Sequence, residues 1–184
     1  LRFVYTGSIY SKYQSPEPFF QAVGNLFKEG LVNKDNLEII FAGNNADVSQ
    51  LAMKYGIQEL YSYIGVLSRH DALELQSSAD ILLFLEFQRS DVSGCYTGKV
   101  FEYLYIAKEI WTIGLSGPDS GGDLIAEAKA GIRFYKDVSN IKDEIKKIIL
   151  HERKIGLQKD TSFIMKYERK SLAEQMLGIV INDK

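Results

Sequence analysis

The segment Thr97-Gly98-Lys99-Val100-Phe101-Glu102-Tyr103-Leu104 combines a small polar opening, one cation, and one carboxylate about a turn further on. It follows the apolar run Ile81-Leu82-Leu83-Phe84-Leu85, so it reads as the start of a helix after a buried strand. In an open α/β sheet that edge collects ligands, because helix N-termini present unpaired N–H groups and a partial positive charge to an anion. Thr97 and Gly98 leave the backbone accessible to phosphate oxygens, and simple helix capping is compatible with that use. Lys99 adds a point charge that would stabilise a leaving diphosphate as negative charge builds on it. A surface lysine on the first helical turn is the plainer alternative. Phe101 and Leu104 are expected to face the core, which turns Glu102 elsewhere, and a carboxylate can accept from both hydroxyls of a diol. An exposed carboxylate favoured by the helix dipole competes with that reading. Together the set suits a phosphate and a ribose.

The elements that must position these residues alternate strand and helix along the chain. Arg2 to Thr6 is a short apolar run ended by Gly7, and Pro16 to Lys28 carries Phe19, Phe20, Val23, Leu26 and Phe27 at helical spacing. Leu37 to Ala42 predicts a second strand, Asp47 to Tyr55 a helix ended by Gly56, and Leu60 to Val66 a third strand. Ser68 and Asp71 form a capping pattern that opens a helix with Ala72, Leu73 and Leu75 on one side. Asp80 to Leu85 reads as a strand buried on both faces, followed by a helix whose apolar stripe is Val100, Phe101, Leu104 and Tyr105. Glu109 to Ile113, a helix over Leu124 to Ala130, a last strand Gly131 to Tyr135 and a mostly helical remainder complete the order. This predicts a Rossmann-like three-layer α/β/α domain with a parallel sheet of about six strands.

Composition narrows the function classes. With 184 residues, 46% hydrophobic and 12% aromatic, the chain suits one globular domain with a sizeable core rather than a disordered segment. A formal charge of −2 gives no general attraction to nucleic acid or anionic lipid, so any anion site must be local. The lone Cys95 excludes an internal disulfide and suits a reducing compartment, and His70 and His151 are too few for a histidine-rich zinc site. No apolar stretch approaches the roughly 18 to 20 residues that span a bilayer. The loop Gly117-Pro118-Asp119-Ser120-Gly121-Gly122-Asp123 is neither a Walker A sequence nor a Gly-x-Gly-x-x-Gly fingerprint; it reads as a turn with Asp119 or Asp123 as a helix cap. Tyr61, Tyr63, Tyr103 and Tyr105 read as packing residues with surface hydroxyls.

Gly98-Lys99-Val100-Phe101-Glu102-Tyr103-Leu104 resembles the Lys-hydrophobic-Phe-Glu-Tyr-Leu segment of the retaining glycosyltransferases of family 4, which have the GT-B fold. Thr6-Gly7-Ser8-Ile9-Tyr10 resembles the Gly-x-x-Tyr turn after the first strand of their C-terminal, donor-binding domain. Tyr63-Ile64-Gly65-Val66 resembles the strand end beside the base, and Ser78-Ala79-Asp80-Ile81-Leu82-Leu83 the strand that leads into the donor loop. These motifs fall in the family's order over nearly the whole chain.

The resemblance implies that residues 1–184 form one half of a GT-B fold, with the N-terminal acceptor domain lying elsewhere and the half alone transferring nothing. It implies a nucleoside-diphosphate sugar donor, UDP- or GDP-linked, with no cofactor and no metal. The acceptor would be a saccharide or a lipid-linked saccharide, in bacterial polysaccharide assembly. The location implied is the cytoplasm, with attachment at the inner membrane face through the missing half. Glu102 would bind ribose; Thr97, Gly98, Gly7 and Ser8 would lie along the diphosphate; Gly65 and Val66 would lie beside the base. Lys99 and Lys12 would neutralise the diphosphate, although a solvated loop lysine describes Lys12 equally well, because Ser11-Lys12-Tyr13-Gln14-Ser15-Pro16 departs from the family's pattern. Many members carry another glutamate eight positions before the ribose-binding one, where this chain has Gly94. The polar loop Glu86 to Tyr96 is a candidate closing loop, and the amphipathic run from Phe163 to Leu177 a candidate interdomain surface. Two other readings stay open: a GT-B nucleotide-sugar 2-epimerase, and a flavodoxin-like regulatory domain without catalysis.

Overall fold

The computed structural model describes residues 1–44, 47–87, 96–115, 120–156, 165 and 167. Six strands, β1 (Arg2–Thr6), β2 (Glu38–Ala42), β3 (Tyr61–Gly65), β4 (Ile81–Leu85), β5 (Glu109–Ile113) and β6 (Gly131–Tyr135), form one parallel sheet in the order β3-β2-β1-β4-β5-β6. Between and after them run helices α1 (Glu17–Lys28), α2 (Val48–Tyr55), α3 (Arg69–Ser77), α4 (Gly98–Ile106), α5 (Gly121–Glu127) and α6 (Val138–Ile149). The expected three-layer α/β/α arrangement is present. The flavodoxin-like alternative fails on strand order, since that fold runs 2-1-3-4-5.

Side-chain alternation along the strands separates two cores. Phe3, Tyr5, Ile81, Leu83 and Leu85 pack with Phe19, Phe20 and Leu26 of α1 and Ile141 and Ile145 of α6. On the opposite face Val4, Leu82 and Phe84 pack with Val100, Tyr103 and Leu104 of α4 and Leu124 and Ile125 of α5. Strands β4 and β5 are buried throughout, whereas β3, at the sheet edge, is largely exposed.

Three local expectations need correction. The α4 stripe uses Tyr103 in place of Tyr105, because residues three apart from Val100 share its face; Tyr105 is 82% exposed. Tyr103 also breaks the surface-hydroxyl expectation, since its phenol lies inside and accepts from the Thr6 N–H at 3.1 Å. Helix α5 begins at Gly121 rather than Leu124, and its cap is Ser120, whose hydroxyl accepts from the Asp123 N–H while Asp123 accepts from the Ser120 N–H. Asp119 lies outside the described residues, as do residues 88–95 of the candidate closing loop, Gly94 and Cys95 included. Of the run from Phe163 to Leu177 only Met165 and Tyr167 are described.

Strand order reverses between β1 and β4, so their carboxyl ends open a crevice of the kind where ligands bind in such sheets. The loops there touch. Gly7 N–H donates to Ala42 C=O at 2.8 Å, Gly43 N–H donates to Gly65 C=O at 2.6 Å, and a Cβ on Gly43 would stand 2.3 Å from the Gly7 carbonyl oxygen. Gly43 also has φ +121°. Gly43→Ala is therefore expected to cost about 1–3 kcal/mol in urea unfolding, and an unchanged midpoint would mean the loops part freely.

Candidate functional site

Lys99 stands on the first turn of α4, and its side chain runs back across the end of β1. Its ammonium donates to the Tyr5 hydroxyl at 2.7 Å and lies 3.9 Å from the centre of the Tyr5 ring. A Cβ on Gly7 would come within 2.6 Å of Lys99 Nζ, so glycine at that position leaves the lane in which the ammonium lies. Burial pushes the Lys99 pKa down to about 7, with the Glu102 carboxylate opposing the shift. At neutral pH the group is poised between amine and ammonium.

Two cavities meet at Lys99. The first, about 300 Å³, lies over β1, β2 and α3 and is bordered by Gly7, Ser8, Val66, Arg69, Gln76 and Glu102. The second, about 270 Å³, lies over β4 and is bordered by Ser8, Tyr10, Gln14, Phe87, Thr97 and Ser120. Glu102, with its side chain 39% exposed, faces the first cavity 4.0 Å from the Arg69 guanidinium. The Thr97 side chain makes no cap bond to α4, and among the described residues no side chain takes up the N–H groups of its first turn. The fold therefore gathers Gly7, Ser8, Val66, Thr97, Lys99 and Glu102 around the crevice, with Gly98 between Thr97 and Lys99. Gly65 contributes through its carbonyl bond to Gly43 and does not border either cavity. Lys12 is not brought in. It is exposed, its ammonium lies 5.4 Å over the Tyr13 ring, and it borders neither cavity.

Several residues at the crevice had no role in the sequence reading. Gln14 donates from its side-chain amide to Leu85 C=O at 2.7 Å and accepts from the Tyr10 N–H at 3.2 Å, which ties the β1–α1 loop to the end of β4. Gln76 donates to the Thr6 hydroxyl at 2.8 Å beneath the first cavity. Glu86, almost wholly buried where β4 ends, accepts from Ser120 Oγ at 2.7 Å, from Gly122 N–H at 3.1 Å and from Arg133 Nε at 3.0 Å. An acidic residue closing an apolar strand was the available signal for Glu86; the glutamines gave none. Among the described residues one group of three potential metal ligands converges, His70, Asp71 and Glu74 at the start of α3, and all three are exposed.

No family model and no curated protein matches the sequence. Solved structures match it at low identity. The lipopolysaccharide outer core galactosyltransferase WaaB, in its apo form, has 12% identity and a TM-score of 0.68 over 100% of this chain and 49% of that one. HepE from Anabaena, in complex with UDP and glucose, has 10% identity and a TM-score of 0.67 over 99% of this chain and 48% of that one. WaaG, a glycosyltransferase involved in lipopolysaccharide biosynthesis, has 14% identity and a TM-score of 0.59 over 81% and 38%. The chain thus spans between 38% and 49% of the length of these structures. At such identities the likeness is one of fold, a Rossmann-like α/β/α domain similar to part of these glycosyltransferase structures.

Proposed function

We propose that this chain is the donor-binding C-terminal half of a retaining family 4 glycosyltransferase, taking a nucleoside-diphosphate sugar whose base is uracil or guanine. The observation that carries the reading is that Lys99 and Glu102, one turn apart on α4, border the same cavity at the β1/β4 crevice. That spacing suits a diphosphate at the uncapped helix start and a ribose one turn along. Glu102 accepts from the ribose hydroxyls. Thr97, Gly98, Gly7 and Ser8 line the diphosphate, and Gly65 and Val66 flank the base. Lys99 neutralises the departing nucleoside diphosphate. The HepE structures hold UDP, UDP with glucose, or UDP-glucose, which favours uracil.

In this reading the anomeric bond to the diphosphate breaks, the sugar passes with retained configuration to a saccharide or lipid-linked acceptor, and a second domain supplies the acceptor site. Positioning and charge stabilisation are this half's contribution. The reading needs no metal and no cofactor. It places the enzyme in bacterial polysaccharide assembly, in the cytoplasm or at the inner membrane face through its other half. No helix among the described residues is long and apolar enough to cross a membrane.

Calorimetric titration with UDP, GDP and ADP tests it, repeated on Glu102→Ala. Selective binding by one diphosphate is expected, weakened in the variant by about 10- to 100-fold, the equivalent of about 1.5–3 kcal/mol for a hydrogen bond to a charged group. Equal affinity in both proteins would remove Glu102 from the site. Absence of binding in both this chain and the full-length enzyme would overturn the assignment.

A further inference from the structure

We infer that Tyr5, a residue of the buried sheet, is the positioning residue that sets the Lys99 ammonium between the two cavities and couples it to the β1–α1 loop. Tyr5 is fully buried, and its ring stacks on Phe41 with centroids 5.1 Å apart and planes 25° apart, so the phenol is fixed in direction. Its hydroxyl donates to the Ser8 carbonyl at 2.9 Å. With that single proton committed, the oxygen can meet Lys99 only as an acceptor, and the 2.7 Å contact is donation from the lysine. The ring face lies under the same nitrogen, which adds a cation–π attraction. Burial raises the Tyr5 pKa well above its ordinary value, with Tyr103 and Tyr10 adding to the shift, so the phenol stays protonated.

One side chain therefore holds both the Ser8 turn and the α4 cation. Ser8 and Lys99 each border both cavities, so an anion that engages Lys99 meets the Ser8 loop at a spacing set by Tyr5. Among the described residues, Glu102 on α4 acts electrostatically on the nitrogen and Tyr5 on β1 is the group within hydrogen-bond distance of it. A ligand bearing phosphate oxygens would add the anionic partner that a phenol does not supply.

The inference rests on the donor-site reading for its ligand and on geometry alone for the Tyr5–Lys99 joint, so two measurements separate them. Tyr5→Phe keeps the ring and its stacking, and the folded state is checked by circular dichroism. NMR of the lysine side chains follows Lys99 without any ligand, assigned by its loss in Lys99→Met. In the parent chain its ε protons are expected to be shifted by the Tyr5 ring current. In Tyr5→Phe that shift collapses as the nitrogen, no longer tied to the hydroxyl, drifts from the ring, and loss of the acceptor that favours the ammonium moves the titration midpoint further down. An unchanged shift and midpoint would overturn the joint. The second measurement is titration with inorganic pyrophosphate and with UDP, comparing parent, Tyr5→Phe, Lys99→Met and the double variant. Tyr5→Phe is expected to weaken binding about tenfold in the parent and to change nothing once Lys99 is gone, the mark of residues acting as one unit. Equal losses in both backgrounds would overturn the coupling, whereas failure of both the parent chain and the full-length enzyme to bind either probe, with the NMR shift collapsed as expected, would sink the donor-site reading and leave the joint standing.

Discussion

Arg133→Met is expected to destabilise the chain by about 3–5 kcal/mol, the usual cost of stripping one partner from a buried ion pair. The Glu86 side chain is 1% exposed and the Arg133 side chain 13%. The guanidinium forks across the carboxylate, Nε to one oxygen at 3.0 Å and Nη2 to the other at 3.1 Å, and also engages Asp123. The Ser120 hydroxyl and Gly122 N–H complete the shell around Glu86. Asp123 belongs to the same network: burial raises its pKa, but bonds from Ser120 and the charge and bonds of Arg133 outweigh that and leave it lowered. Removing the arginine leaves Glu86 as an uncompensated charge at the end of a central strand. Because domains of this kind have only about 5–15 kcal/mol of stability in total, the variant should unfold at much lower urea. Glu86→Leu combined with Arg133→Met should recover part of the loss, since replacing both partners is far cheaper than orphaning one. A loss under about 1 kcal/mol, typical of solvated pairs, would show that water reaches Glu86. The network bears on the site, because Glu86, Ser120 and Gly121 form the β4 side of the second cavity.

The second large effect is a pH dependence centred on Lys99. Its pKa stands at about 7 in the folded chain because burial disfavours the ammonium, against about 10.4 for an unperturbed lysine. Between those values the unfolded state binds more protons than the folded one, so this group makes stability rise with pH across that window and contributes no further slope below it. Lys99→Met should abolish that part of the slope. A bound diphosphate would favour the ammonium and raise its pKa, so binding between about pH 7.5 and 8.5 should take up close to one proton and weaken by up to tenfold per pH unit. The terminal phosphate, with a pKa of about 6, is already ionised there. Calorimetry at pH 8 in two buffers of different ionisation enthalpy measures the uptake directly. Zero uptake in the parent, or the same uptake in Lys99→Met, would remove Lys99 as the group that responds to the anion.

Periodicity carried the architecture. The continuous apolar run at Ile81–Leu85 identified a strand buried on both faces, Glu109–Ile113 was legible as a strand, and the Ser68 cap placed the start of α3, because these features depend on neighbours a few residues apart. Boundaries failed where a distant partner decided them. Helix α5 starts three residues earlier than its apolar pattern suggests, since Ser120 caps it while also bonding Glu86 on β4. On α4 one residue of the stripe was misread, Tyr105 for Tyr103, and the buried partner of Tyr103, Thr6, lies nearly a hundred residues away in sequence.

The candidate site divides in the same way. Lys99 and Glu102 were legible because their relation is that of one helical turn, a local spacing that any helix reproduces. Tyr5, Gln14, Gln76 and the Glu86–Arg133 pair were not, because each acts across the sheet or between loops. Only the order β3-β2-β1-β4-β5-β6 sets the end of β1 beside the end of β4 and so brings Tyr5 to Lys99, ninety-four residues apart. The sequence by itself determined the types of group available and the strand–helix alternation. Tertiary structure decided which of them share a buried crevice, and burial is what brings the Lys99 pKa down to about 7, with Glu102 opposing the shift.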